Sequence, residues 1–177
     1  CPPLMDPTAP PPIDWRGAVL RESRAGRLLA LLNTLPRARW AERDPRDGWT
    51  FLHYAARGDN VDAAVALLQS GLVDVNARNT GGNNAAHLTA LNNQPRVLEV
   101  LCAAGADLRA RNEHGFSPID GALNNAHKGG GESVRVLVAN GVRLSTAHES
   151  KRFLITPELW AFERGVLRCR AAVVALL

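Results

Sequence analysis

Aromatic residues are scarce, 5% of the 177 positions, with one tyrosine and one methionine. So few large rings argue against a two-sheet sandwich core, whereas plentiful Ala and Leu suit closely packed helices. Cysteine is scarce too: Cys1, Cys102 and Cys169 are odd in number and sit at spacings that fit neither a disulfide framework nor a zinc site. Reduced thiols and an intracellular setting, cytoplasmic or nuclear, are the expectation. Long apolar runs are missing. The longest, residues 171–177, falls far below the roughly 20 residues a membrane-crossing helix needs, so no membrane span is expected. No stretch joins a basic start, an apolar centre and a small-residue cleavage site, so no secretory leader is expected either. The sole methionine, Met5, is the expected initiator, and the apolar ending suggests a natural chain that continues past Leu177.

Net charge is +4, which raises the question of a nucleic-acid partner. Its distribution argues against one. Residues 1–43 hold seven Arg against four acids, and 149–177 hold five Lys or Arg against three. The middle, 44–148, is balanced at nine against ten. The excess lies along helices at both ends and fits solvated faces better than a phosphate-binding stripe.

What the sequence does contain is a repeat. Asp47-Gly48-Trp49-Thr50-Phe51-Leu52-His53-Tyr54-Ala55-Ala56 aligns with the window from Gly81 to Ala90 and with that from His114 to Leu123. The anchoring glycines Gly48, Gly82 and Gly115 lie 34 and 33 positions apart. The unit ends recur as well: Leu67–Ala77 parallels Leu101–Ala110. This pattern resembles the ankyrin repeat, whose period is about 33 residues and whose signature is T-P-L-H-x-A. The resemblance implies an all-α solenoid of stacked helix-turn-helix units with short hairpin loops, to which a C-terminal amphipathic helix is added here. Each unit cannot bury its own apolar face, so neighbours supply the core. Thr50 and Ser117 suit helix starts, and Pro118 suits a first helical position. Asn84-Ala85 replaces Thr-Pro in the second unit and is expected to weaken that cap. An extra residue precedes Asp74 in the first unit, and Lys128–Gly131 is an insertion in the third.

The expected organisation is a Pro-rich disordered lead over 1–13, an N-terminal capping repeat over 14–43, and repeats over 44–78, 79–111 and 112–145. A C-terminal helix over 146–177 completes it. In that helix Leu159, Phe162, Val166, Cys169, Val173 and Leu176 form a stripe that must be buried, either on the third repeat or on a partner. The string Ile155-Thr156-Pro157-Glu158-Leu159-Trp160 also resembles an F-box start. Ankyrin repeats ending so resemble proteins of large DNA viruses, which implies a ubiquitin-ligase subunit as a second partner, reached through 155–177.

No phosphate-cradling loop, nucleophile elbow or paired catalytic carboxylate stands out, so the chain is expected to be non-enzymatic and to need no cofactor or metal. The resemblance implies that His53 and His87 tie neighbouring hairpins through backbone hydrogen bonds. It also marks Asn76, in Asp74-Val75-Asn76-Ala77, as similar to ankyrin asparagines that are hydroxylated. Position by position, it implies a partner-protein surface of Arg46, Asp47, Trp49 and Arg57 in the first repeat, and Thr80, Asn83, Leu91 and Asn92 in the second. The third contributes Glu113, His114, Phe116, Asn124 and Asn125. Trp49 and Phe116 occupy the same register, either as interface anchors or lying on their own hairpins.

Overall fold

In a computed structural model the described residues are 15–24, 26–126 and 131–143. The lead over 1–13, most of the Lys128–Gly131 insertion and the C-terminal helix over 146–177, with its F-box-like string, lie outside them. The described residues form α1 (Trp15–Arg24), α2 (Leu28–Thr34), a 3-10 turn (Arg37–Ala41), α3 (Phe51–Arg57) and α4 (Val61–Gln69). There follow α5 (Ala85–Leu91), α6 (Pro95–Ala103), α7 (Pro118–Ala126) and α8 (Gly131–Ala139). Among the described residues the only β pairing is an isolated bridge between Arg43 and Thr50.

The helices pair as four hairpins that stack in chain order. First helices touch first helices, α1 on α3, α3 on α5 and α5 on α7, while α2, α4, α6 and α8 form a parallel second row. The interior is one continuous apolar strip through all four hairpins, from Val19, Leu28 and Leu32 through Phe51, Leu67, Leu98 and Leu101 to Leu123 and Leu137. Small residues set the spacing: Ala55, Ala56, Ala85, Ala86, Ala90 and Ala122 are fully buried where first helices press together. A larger side chain at these places would hold the rows apart and forfeit contacts along the whole strip.

Each first helix is started by a side chain. Thr50 accepts from the His53 amide, and the His53 ring returns the bond to the Thr50 amide, closing a capping box. Asn84 and His87 do the same at α5 (3.2 and 3.3 Å). The expectation of a weaker cap there is therefore corrected. Asn ranks with or above Thr as a cap, and the Asn84 amide also donates to the Asp107 carbonyl at 3.0 Å. At α7 the roles change. Asp120 replaces histidine, and its carboxylate accepts from both the Ser117 amide (2.8 Å) and hydroxyl (2.7 Å).

The 3-10 turn between α2 and α3 has no counterpart in the sequence pattern. It buries Trp40, whose indole donates to the Leu32 carbonyl at 3.2 Å and which carries Arg37 over its ring. The first two hairpins are also joined by polar contacts: Ser23 Oγ donates to the Tyr54 carbonyl at 2.6 Å, and Asn60 Nδ2 to the Ser23 carbonyl at 2.7 Å.

Candidate functional site

The loops that precede the first helices are locked by one device used repeatedly. Asn79 accepts from the amides of Gly81 and Asn83, and Asn112 accepts from those of His114 and Phe116. Asp44 does comparable work in the first loop, accepting from the Arg46 amide and, through its other oxygen, from the Tyr54 hydroxyl. Adjacent loops then bond to one another, Thr80 amide to Asp47 carbonyl (2.9 Å) and Glu113 amide to Gly81 carbonyl (3.2 Å). This close approach needs a glycine at 82: its φ is +73°, and a Cβ there would sit 2.9 Å from the Glu113 nitrogen.

The two repeat histidines fasten this edge. His53 Nε2–H donates to the Asn83 carbonyl at 2.9 Å and His87 Nε2–H to the Phe116 carbonyl at 3.1 Å, while each Nδ1 accepts from its own helix-start amide. Those partners assign the neutral Nε2–H form. Burial pushes both pKa values down, and the bonds to the Asn83 and Phe116 carbonyls oppose it only in part.

A folded pKa below the unfolded value means that the folded state binds fewer protons. The stability these rings contribute is therefore complete above about pH 6.5 and drains away as pH falls below it. The melting temperature should accordingly drop between pH 7.5 and pH 5, and the drop should shrink in His87→Gln. A melting temperature that holds level or rises over that range would contradict this arrangement.

The loops and first helices carry the residues marked out in the sequence. Arg46, Thr80, Glu113 and His114 sit exposed at or beside loop tips, with Asp47 half-buried among them. Arg57, Leu91 and Asn124 are equivalent positions on α3, α5 and α7, and all three are exposed. Asn92 is also exposed, but its amide closes the end of α5 on the Leu88 carbonyl at 2.8 Å. The side chain of Asn125 lies outside the described residues. Asn76 is exposed, and its carboxamide oxygen accepts from the Asp107 amide of the next unit at 2.7 Å.

Trp49 and Phe116 share a register but not an environment. Trp49 is half-buried, packed on Tyr54 (centroids 5.0 Å apart) and His53 (5.9 Å), with Arg57 5.7 Å above its ring. The third repeat places Gly121 where Tyr54 stands and Asn124 where Arg57 stands, so Phe116 lacks that bed and is 43% exposed. Beside it a groove of about 300 Å³ opens between the second and third repeats. Of the residues marked out in the sequence, Asn83, Leu91, Phe116 and Asn124 line it, joined by Asn112, His87, Ser117, Asp120 and Gly121. The last five were missed as site residues, although the register series Tyr54, Leu88, Gly121 already signals a dent.

Among the described residues no three His, Cys, Asp or Glu come together as a metal site, and no helix is long and apolar enough to cross a membrane. Cys102 is a free thiol whose pKa is pushed up to about 11 by burial and by the Glu99 charge, so it stays protonated and weakly nucleophilic.

Stacked hairpins, capped first helices and a histidine-tied loop edge define a repeat solenoid whose side-chain variety is displayed on loops and first helices. The family model described as ankyrin repeats (3 copies) matches residues 22–112, about half of the chain, and the chain belongs to the ankyrin-repeat family. Such repeats are protein–protein interaction modules. The match begins inside the N-terminal hairpin, while α7 and α8 continue the stack beyond its end.

Among curated proteins, the chain is 30% identical over 117 residues to a Caenorhabditis elegans homolog of transient receptor potential cation channel subfamily A member 1, covering 66% of this chain and 9% of that protein. It is 36% identical over 105 residues to a mitochondrial disaggregase of Bos taurus, covering 59% of this chain and 15% of that protein. Over 77 residues it is 34% identical to human SH3 and multiple ankyrin repeat domains protein 2, covering 44% of this chain and 4% of that protein. The chain thus spans a small part of each relative. The comparisons lend no support to the viral F-box likeness.

Proposed function

We propose that the chain is a non-enzymatic module that holds a partner protein on the face formed by its loops and first helices, centred on the groove between the second and third repeats. The observation that carries this reading is the pairing of exposed Leu91 (47%) and Phe116 (43%) across one groove. Large apolar side chains gathered at a concave place are the usual core of a docking surface, ringed here by Asn83, Asn124 and the loop tips. The second-row helices instead show scattered polar side chains such as Glu99, Arg96 and Arg135.

The test is a photo-crosslinking amino acid placed at Asn124 and, as a control, at Glu99 on the second row, in cells that make the protein. A discrete crosslinked protein is expected from Asn124 and not from Glu99, and Phe116→Ala should suppress it by about tenfold or more, as loss of an interface anchor does. Phe116→Ala should leave the thermal melt nearly unchanged, since its ring is exposed. Capture from Glu99 alone would place the partner on the opposite face and overturn the reading.

A further inference from the structure

The end of the stack is buried more deeply than its middle. In the second-row helices Leu67, Leu101 and Leu137 share one register ahead of Gly71, Gly105 and Gly141, and all three are fully buried. The residues on either side of each, 66 and 68, 100 and 102, 136 and 138, are turned about 100° away from it in opposite senses. They look along the row, toward the neighbouring second-row helices. Helices α4 and α6 have such a neighbour on both flanks, yet Ala66, Leu68, Val100 and Cys102 are only half-buried. Helix α8 has one described neighbour in the row, α6, yet Val136 is 9% exposed and Val138 3%. The residue after the closing glycine follows the same trend. Leu72 is 45% exposed and Ala106 half-buried, while Val142 falls to 6%.

A bare last helix would show the reverse, because one of its flanks would meet water. The outer flank of α8 is therefore covered, and by this chain, since no other molecule contributes to the burial. The lead precedes α1, at the opposite end of the stack. Residues 127–130 join α7 to the start of α8, whereas Val136, Val138 and Val142 lie in its second half and just past it. The residues from 144 onward continue directly from that place.

We infer that residues 157–176 seat on the outer flank of α8 as an amphipathic helix and close the C-terminal end of the stack. The apolar stripe Leu159, Phe162, Val166, Cys169, Val173 and Leu176 is the face that meets Val136, Val138 and Val142. Thr156-Pro157 is a helix start in composition, and the stripe recurs every three or four positions, as a single buried face requires. Arg164 and Arg168 fall on the other side of the helical wheel, which gives the polar outer surface that an end unit of a solenoid needs. Reach sets no obstacle. The 13 residues 144–156 span up to about 45 Å when extended, and α8, nine residues long, measures about 14 Å. The stripe is thereby engaged within the chain, which leaves partner docking to the loops and first helices. The inference does not depend on the reading of that face.

The experiment is alkylation of the full chain with iodoacetamide, with Cys1→Ser and Cys102→Ser leaving Cys169 as the one thiol. A second chain carries Cys169→Ser and Arg164→Cys as well, which moves the thiol to the other side of the same helix. Each rate is taken relative to its value in urea. Cys169 should react about tenfold or more slowly than the thiol of Arg164→Cys. Val166→Asp lies on the segment and leaves the hairpins untouched, and it should bring the Cys169 rate up to that of the control. It should also lower the amide-exchange protection of residues 134–142 while α3 and α5 keep theirs. Equal rates at the two positions would mean that the stripe is free. Protection of Cys169 that grows with protein concentration would mean that a second copy covers it. Unchanged protection of 134–142 in Val166→Asp would mean that the segment seats elsewhere. Each of these three results would overturn the inference.

Discussion

Gly58→Ala should destabilise the protein by about 3 kcal/mol, a large effect for one methyl group. Gly58 closes α3, and a Cβ there would overlap both the hydroxyl and the carbonyl oxygen of Ser23 and the amide of Asn60. These atoms join the N-terminal hairpin to the first repeat: Ser23 donates to the Tyr54 carbonyl, and Asn60 donates to the Ser23 carbonyl. The backbone oxygen cannot swing aside, so the hairpins must part, and the loss combines overpacking with buried polar groups left unpaired. Urea melts measure it. Gly17→Ala is the matched control, because Gly17 lies in the first turn of α1 and a Cβ there meets nothing within 4 Å. Helix propensity alone should there give a gain of up to about 1 kcal/mol. Equal effects of the two substitutions would mean that the first hairpin does not dock as described.

The second large effect is expected from His53→Ala, a loss of about 3 kcal/mol. The ring is 1% exposed, and three kinds of stabilisation go with it. The Thr50 amide loses its capping acceptor, the Asn83 carbonyl loses its donor from the neighbouring repeat, and a cavity forms beneath Trp49, whose ring centre is 5.9 Å away. His53→Gln should recover part of this loss, since a carboxamide can still accept or donate at one of the two places. Because the lost bonds span two repeats, the amides of residues 79–84 should lose exchange protection along with those of α3. Loss confined to α3 would show that the histidine acts only as a local cap.

Much of the stack was legible in the sequence because it is set by short-range rules repeated at a fixed period. Glycines at 48, 82 and 115, alanines at the helix contacts and a histidine three residues into each of two first helices leave few alternatives once they recur together. The rest depended on relations between units. Asn84 looks like a departure from Thr-Pro until its carboxamide is found bonded both to the His87 amide and to the Asp107 carbonyl. Trp40 offers no periodic signal, being anchored in a 3-10 turn by a single bond to Leu32.

The candidate surface divides in the same way. Its positions follow from register, but burial at each depends on the neighbour. Trp49 rests on Tyr54 and beneath Arg57, whereas Phe116 faces the space left by Gly121. Reading each column of the repeat downward, Tyr54 to Leu88 to Gly121, would have located the groove.

The account depends on adjacent hairpins being held in register by the histidine edge, and the imidazole protons report on that directly. Nitrogen-15 NMR of the labelled rings should find His53 and His87 as Nε2–H forms at pH 7.5, with slowly exchanging Nε2 protons. Each should show Overhauser contacts to the next repeat, His53 to protons of Asn83 and His87 to protons of Phe116. Rapidly exchanging ring protons with no contact to residues some 30 positions away would contradict the stacked arrangement, and with it the groove that the stacking creates.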